Sequence, residues 1–149
     1  MRVALAADHA GYHLKQFIAG ELTAMKYDVL DLGTQDPNVP DDYPDYADAL
    51  GQALLTNRAE RGVLICGSGV GAAVAANKIH GIRAGLCHDH YSAHQGVEHD
   101  DMNVIVLGSR VIGVELAREL VLAFLNAVYS AEERHRRRLA KVKALEDRY

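Results

Sequence analysis

The chain has 149 residues and a formal net charge of −4 at pH 7, with 49% hydrophobic and 24% charged residues. This size and composition are typical of one globular domain with a full core, so we expect residues 1–149 to form a single domain. No apolar run reaches the roughly 18 residues that span a bilayer. The first residues predict a strand and not a signal peptide. The negative net charge disfavours a general nucleic-acid binder. We therefore expect a cytoplasmic protein with neither a membrane nor a nucleic acid as its partner.

Five short apolar runs alternate with helical patterns along the chain. The runs are rich in Val, Ile, Leu and Ala, which predicts strands that are buried on both faces. They occupy residues 3–7, 29–32, 63–66, 83–87 and 104–107. Between them, apolar residues recur at spacings of three and four, most clearly over residues 14–25 and 116–125. This alternation predicts an α/β fold, a Rossmann-like three-layer α/β/α sandwich around a five-stranded parallel sheet, with ligands at the carboxyl ends of the strands.

Two further segments have recognisable patterns. Residues 36–44 contain all three prolines and several acidic residues, which predicts an exposed loop. Ser130-Ala131-Glu132-Glu133 matches a capping box that would open a last amphipathic helix, at about residues 130–147. We expect this helix to contact a partner subunit.

The most informative segment is Cys66-Gly67-Ser68-Gly69-Val70-Gly71, where the third predicted strand turns into a helix. Glycines let the backbone approach a ligand, and free amides at a helix N-terminus favour an anion. A cysteine there can act as a thiolate while the amides stabilise an oxyanion. The alternative is that Cys66 merely ends a buried strand. Ala72-Ala73 after the last glycine excludes a Walker loop and a cysteine-phosphatase loop, and the glycine spacing differs from that of a dinucleotide site.

Three weaker signals accompany this loop. Asp8 and His9 follow the first predicted strand and could bind sugar hydroxyls, although Asp8 could equally cap a helix. His99 precedes the fifth strand and could be an acid or base, or an ordinary surface residue. Arg134 and Arg138 lie four residues apart on one helical face, which suits a phosphate dianion, or else a solvated charged face.

In this order, the motifs resemble the ribose-5-phosphate isomerase B family, which also contains the galactose-6-phosphate isomerase subunits. The matching segments cover nearly the whole chain: Asp8-His9-Ala10-Gly11, Asp42-Tyr43-Pro44, Ile65 to Gly71, Ala75-Ala76-Asn77-Lys78, Gly81-Ile82-Arg83-Ala84, Tyr91-Ser92-Ala93, Asn103-Val104 and Gly108 to Gly113. The resemblance implies an aldose–ketose isomerase that interconverts ribose 5-phosphate and ribulose 5-phosphate through a cis-enediol. It also implies no metal and no organic cofactor, and a homodimer or a dimer of dimers with shared active sites.

The resemblance implies a role for each matched residue. Cys66 would be the base that moves a proton between C1 and C2, His99 would open the sugar ring, and Ser68 would assist. Asp8 completes the implied catalytic set. Further implied contacts to the sugar hydroxyls, the enediolate or the phosphate are His9, Tyr43, Gly67, Gly69, Val70, Gly71, Asp100, Arg110, Arg134, His135 and Arg138.

Some features of the chain keep alternatives open. Asp100 stands where the family usually has asparagine, which leaves the fine contacts to the substrate open. The substrate could be another aldose phosphate, such as galactose 6-phosphate, allose 6-phosphate or a tetrose phosphate, because the catalytic residues would be unchanged. A noncatalytic sugar-phosphate-binding module is the alternative from another class. Cys87 is expected to be a buried strand residue, and Arg136, Arg137 and Lys141 are expected to be surface charges.

Overall fold

The computed structural model describes residues 1–149, which form five strands and six α-helices. The strands are β1 (Arg2–Ala7), β2 (Asp28–Asp31), β3 (Arg61–Cys66), β4 (Ala84–Leu86) and β5 (Val104–Gly108). The helices are α1 (Tyr12–Ala24), α2 (Tyr43–Leu55), α3 (Val70–Ala76), α4 (His90–Asp100), α5 (Val114–Asn126) and α6 (Glu133–Arg148), and a 3-10 turn (His9–Gly11) precedes α1. None of the helices combines the length and the apolar composition that a membrane crossing requires.

All five strands are parallel and lie in the order β2-β1-β3-β5-β4. This confirms the predicted fold class. The chain moves from β1 to β2 in one direction and from β3 onwards in the other, so the carboxyl ends of β1 and β3 flank the point where ligands bind in such sheets. The prediction that all strands are buried on both faces is wrong for β2 and β4, which are only partly buried because they are the edge strands.

Each face of the sheet has its own apolar core. Alternate residues of a strand point to opposite faces, so Val3 and Leu5 join α1, α4 and α5 on one face, while Ala4 and Ala6 join α2 and α3 on the other. The result is the predicted three-layer sandwich. Helix α6 belongs to neither core, and its one buried residue is His135.

An ion pair joins the first helix to the sheet. The side chain of Lys15 in α1 is fully buried, and its Nζ lies 2.6 and 2.8 Å from the two carboxylate oxygens of Asp31 at the end of β2. One of these oxygens also accepts the backbone N–H of Gly33 at 2.9 Å. The pair therefore connects α1, β2 and the turn that follows β2.

Two predicted boundaries are corrected by the structure. Helix α2 already begins at Tyr43, since the fixed φ of Pro44 suits the first turn of a helix. Helix α6 begins at Glu133, without a side-chain cap, so the predicted capping box does not form. The Ser130 hydroxyl lies instead 2.7 Å from Nδ1 of His135, a closer contact than the 3.4 Å to the Glu132 amide.

Candidate active site

Cys66 is the last residue of β3, and the loop that follows folds back over its thiol. The Gly69 N–H donates to Sγ of Cys66 at 3.1 Å, and Cys66 is 4% exposed. Gly69 has a φ of +81°, which favours glycine, and a Cβ there would lie 2.5 Å from Cδ1 of Leu86. Glycine at this position is thus required for the turn that brings an amide onto the sulfur.

The backbone of this loop offers several unused donors. The Ser68 hydroxyl is exposed and accepts the Val70 N–H at 3.2 Å. The N–H groups of Gly67, Ser68 and Gly71 have no hydrogen-bond partner in the chain. Such a group of free amides, at a strand end that leads into a helix, favours a negatively charged ligand atom.

Tyr43 and Arg110 flank the loop on its two sides. A Cβ at Gly71 would lie 2.7 Å from Cζ of Tyr43, so the tyrosine ring packs directly on this glycine. A Cβ at Gly67 would lie 3.5 Å from Nη1 of Arg110, and the Arg110 N–H donates to the Gly67 carbonyl at 3.0 Å. The structure therefore brings both predicted residues to the loop.

Asp8 and His9 follow β1, beside the end of β3. Asp8 is buried, and its carboxylate accepts the Gly11 N–H at 3.1 Å, so Asp8 caps the 3-10 turn that follows β1. Nδ1 of His9 lies 2.7 Å from Oδ1 of Asp41. The Asp8 N–H donates to the Ile65 carbonyl at 3.3 Å, which ties this turn to β3.

The sequence pattern predicts that Asp41 lies in an exposed loop, but its side chain is only 16% exposed. It accepts the backbone N–H of His9 at 2.8 Å and the Tyr46 hydroxyl at 2.8 Å. Burial alone would raise the pKa of Asp41, but hydrogen bonds from His9, Tyr46 and Thr34 outweigh burial and hold the pKa below its usual value. Sequence reasoning missed Asp41 and Tyr46, because no local pattern links them to His9.

A second group of predicted residues lies where α4 ends and α6 begins. Nδ1 of His99 is 2.8 Å from Nε2 of Gln95, and the His99 ring stacks on that of His135 with centroids 4.0 Å apart. His135 was predicted to contact the substrate phosphate, but only 2% of it is exposed. Burial, and then repulsion from the neighbouring His99 and Arg134, lower the pKa of His135. The buried His135 ring packs against that of His99. The contact between His135 and the substrate phosphate stays a prediction.

The arginines around His135 differ in their partners. Arg134 lies 3.3 Å from Glu132 and its side chain is 55% exposed. Arg137 pairs with Glu133 at 2.9 Å, and its side chain is 54% exposed, as expected for a surface charge. Arg138 is exposed and has no ion-pair partner.

The two groups lie at opposite ends of the parallel strands. Cys66 is paired with Gly108 at the carboxyl ends, whereas His99 precedes β5, whose first residue, Val104, is paired with Gly62 at the amino ends. Four residues of strand separate the two ends by about 13 Å. One chain therefore does not bring Cys66 and His99 together.

Two clusters have side-chain atoms close enough to share a metal ion. They consist of Asp8, His9 and Asp41, and of His80, Glu146 and Asp147. In the first cluster, the hydrogen bond between His9 and Asp41 already accounts for the short distance. In the second cluster, His80 and Asp147 are exposed and Glu146 is partly buried.

Known proteins resemble this chain in both sequence and fold. The model of the Ribose/Galactose Isomerase family matches residues 3–142. The chain belongs to this family. It is 42% identical over 147 residues to ribose-5-phosphate isomerase B of Escherichia coli, a match that covers 99% of the chain and 97% of that relative.

Two further comparisons support the assignment. The structure of ribose-5-phosphate isomerase B of Clostridium thermocellum matches with a TM-score of 0.96 and 39% identity, over 100% of this chain and 99% of that one. D-erythrulose-4-phosphate isomerase of Pectobacterium atrosepticum is 40% identical over 129 residues, which cover 87% of this chain and 85% of the relative. The family resemblance is thus confirmed, and the chain is a sugar-phosphate isomerase of the ribose-5-phosphate isomerase B type.

Proposed function

We propose that the chain interconverts ribose 5-phosphate and ribulose 5-phosphate through a cis-enediol, with Cys66 as the base. The observation that carries the proposal is the surroundings of the thiol. Its sulfur accepts an amide N–H at 3.1 Å, and three more loop amides are free for a ligand. A thiolate and an oxyanion generated next to it would both be stabilised by such donors.

The reaction needs one base and a site for negative charge. The Cys66 thiolate removes the proton from C2 of the open aldose, and the electrons of that C–H bond form the C1–C2 double bond, which leaves the charge on O1. The free amides of Gly67, Ser68 and Gly71 stabilise this charge. The O2 proton is lost and O1 is protonated, while the Cys66 thiol returns its proton to C1, which gives the ketose and regenerates the thiolate.

We infer that a second copy of the chain completes the site. The proposed base and the His99 group lie at opposite ends of the parallel strands, so a substrate can touch both only if two chains contribute. Side chains that a partner would cover are exposed and apolar: Val70 and Val74 on α3, and Val142 and Leu145 on α6. A two-fold dimer would form two equivalent sites, each with the Cys66 end of one chain and the His99 end of the other.

In such a site, the residues at the amino ends of the strands would open the ring and hold the phosphate. Gln95 donates to Nδ1 of His99, which leaves an N–H on Nε2 that can donate a hydrogen bond to the ring oxygen as the ring opens. Arg134 and Arg138 are exposed beside it and can bind a dianionic phosphate.

The direct test is an assay of ribose 5-phosphate conversion beside a panel of other sugar phosphates. Cys66→Ser should lower kcat by at least about a hundredfold, because a hydroxyl is a much weaker base than a thiolate. Binding of ribose 5-phosphate, measured by calorimetry, should persist. Cys87→Ser is the matched control and should keep its activity. Near-normal turnover of Cys66→Ser would refute Cys66 as the base.

A mixing experiment tests the shared site. Cys66→Ser and His99→Ala enzymes should each be inactive, yet equal amounts should recover about a quarter of wild-type activity after subunit exchange, because half of the dimers are mixed and one of their two sites is intact. No recovery in proven mixed dimers would refute a site that is shared between chains.

A tetrose phosphate is the second candidate substrate. The Pectobacterium atrosepticum relative named above carries the name of a tetrose-phosphate isomerase and is similar over most of its length. The same panel decides, since the preferred substrate is the one with the highest kcat/KM.

A further inference from the structure

A chain of hydrogen bonds holds the side chain of His9 from outside the glycine-rich loop. Nδ1 of His9 lies 2.7 Å from Oδ1 of Asp41, and the backbone N–H of His9 donates to the same oxygen at 2.8 Å. The other oxygen, Oδ2, accepts the Tyr46 hydroxyl at 2.8 Å. Both carboxylate oxygens thus have donors. The Asp41 side chain is 16% exposed, whereas that of His9 is 36% exposed and so accessible to a ligand.

These contacts determine which nitrogen of His9 carries the proton. An ionised carboxylate can only accept hydrogen bonds, and the hydrogen bonds to Asp41 keep it ionised at neutral pH. Nδ1 of His9 must therefore be protonated. The Asp41 backbone N–H, at 3.4 Å from Nδ1, is too distant to compete with Oδ1. In neutral His9 the lone pair consequently lies on Nε2, which has no partner in the chain.

We propose that Asp41, held by Tyr46, is a positioning residue that keeps Nε2 of His9 as an acceptor for a hydroxyl group of the open-chain sugar. The inference rests on the proposed function for the identity of the sugar phosphate. His9 follows Asp8 at the carboxyl end of β1, next to the end of β3 that carries Cys66. A substrate that reaches the thiol therefore passes the imidazole.

The kinetic consequence follows from the kind of contact. A hydroxyl group that does not react makes the same hydrogen bond in the substrate and in the transition state. Loss of that bond raises KM and leaves kcat nearly unchanged. We therefore expect Asp41→Ala to raise KM for ribose 5-phosphate about tenfold, which corresponds to about 1.4 kcal/mol, with kcat within about twofold of wild type.

A second interpretation is that Asp41 merely anchors the loop before α2. A double-mutant cycle separates the two. If Asp41 acts through His9, Asp41→Ala should have no further effect on KM in a His9→Ala background. An equal effect in both backgrounds would overturn the proposal. Asp48→Asn, an exposed carboxylate on α2, is the matched control and should leave KM and kcat unchanged.

The protonation of His9 can be read directly by NMR. In protein with 15N-labelled histidine, the signals of His9 are identified by their loss in His9→Gln. Two-bond and three-bond couplings then show which nitrogen is protonated. The neutral wild-type ring should carry its proton on Nδ1. Asp41→Ala should increase the form protonated on Nε2, and Asp48→Asn should not. A wild-type ring protonated on Nε2 would overturn the proposal.

Two provisions keep the outcome decisive. If Asp41→Ala does not fold, Asp41→Asn and Tyr46→Phe replace it, because both keep the shape of the loop. Each should shift KM and the His9 signals in the same direction as expected for Asp41→Ala, by smaller amounts. No shift in either variant would refute the proposal. If wild-type enzyme does not convert ribose 5-phosphate, the proposed function fails, but the NMR measurement still decides whether Asp41 sets the protonation of His9.

Discussion

Replacement of Lys15 by methionine is a sharp test of the buried ion pair between α1 and β2. Methionine has a similar length and no charge, so Lys15→Met fills the same space and removes the partner of Asp31. The Lys15 side chain is fully buried, with Nζ 2.6 and 2.8 Å from the carboxylate oxygens. We expect a clear loss in the free energy of unfolding.

The structure indicates the size of this loss. Removal of one partner from a buried ion pair costs about 3–5 kcal/mol, because the other charge remains without compensation. The side chain of Asp31 is 30% exposed and keeps its hydrogen bond from the Gly33 N–H. The lower end, about 3 kcal/mol, therefore applies. For a chain of this length each kcal/mol lowers Tm by about 2–4 °C, so Tm should fall by about 6–12 °C.

Thermal unfolding followed by circular dichroism is the assay. Lys141→Met, at an exposed position on α6, is the matched control and should change stability by less than about 0.5 kcal/mol. Lys15→Met with Asp31→Asn should recover part of the loss, since the uncompensated charge is removed. A Tm for Lys15→Met within about 2 °C of wild type would show that desolvation cancels the attraction, and would refute the reasoning.

Three further predictions concern the site. Iodoacetamide should modify Cys66 before Cys87. Burial and the nearby Asp89 charge raise the pKa of Cys87 to about 11, so only about one Cys87 thiol in a thousand is ionised at pH 8. The rate at which Cys87 is modified should therefore rise about tenfold per pH unit below that pKa. Arg138→Ala should raise KM by about 10- to 150-fold, the effect of 1.5–3 kcal/mol for a hydrogen bond to a charged group, whereas Arg137→Ala should not. Asp100→Asn should retain ribose 5-phosphate turnover within about tenfold, the effect of one altered hydrogen bond.

Each of these predictions has a result that contradicts it. Equal labelling of the two cysteines, identified by mass spectrometry, would contradict the first. Equal KM values for the Arg138 and Arg137 variants would return Arg138 to the solvated surface. A loss well beyond tenfold in the Asp100 variant would make its carboxylate essential, and a change of preferred sugar would favour another aldose phosphate as the substrate.

The parts of the fold and the site that could be predicted are those with a local pattern. The apolar run before Cys66 predicts β3, because a strand buried on both faces needs apolar residues throughout. The glycine-rich segment that follows Cys66 predicts the sharp turn, and the Gly69 φ of +81° shows why glycine is needed there. The predicted capping box at Ser130 failed because the hydroxyl found a closer partner in His135, five residues away.

The chain by itself determined the order of strands and helices, the loop that follows Cys66 and the identity of the family, because each depends on residues that are neighbours in sequence or on a complete set of motifs. Only the tertiary structure decided which distant groups meet. Asp41 reaches His9 across 32 residues, and His99 stacks on His135 across the gap between two helices. Because all strands are parallel, every helix that connects them returns the chain from the carboxyl ends of the strands to their amino ends. Cys66 ends a strand and His99 ends a connecting helix, so the two residues lie apart.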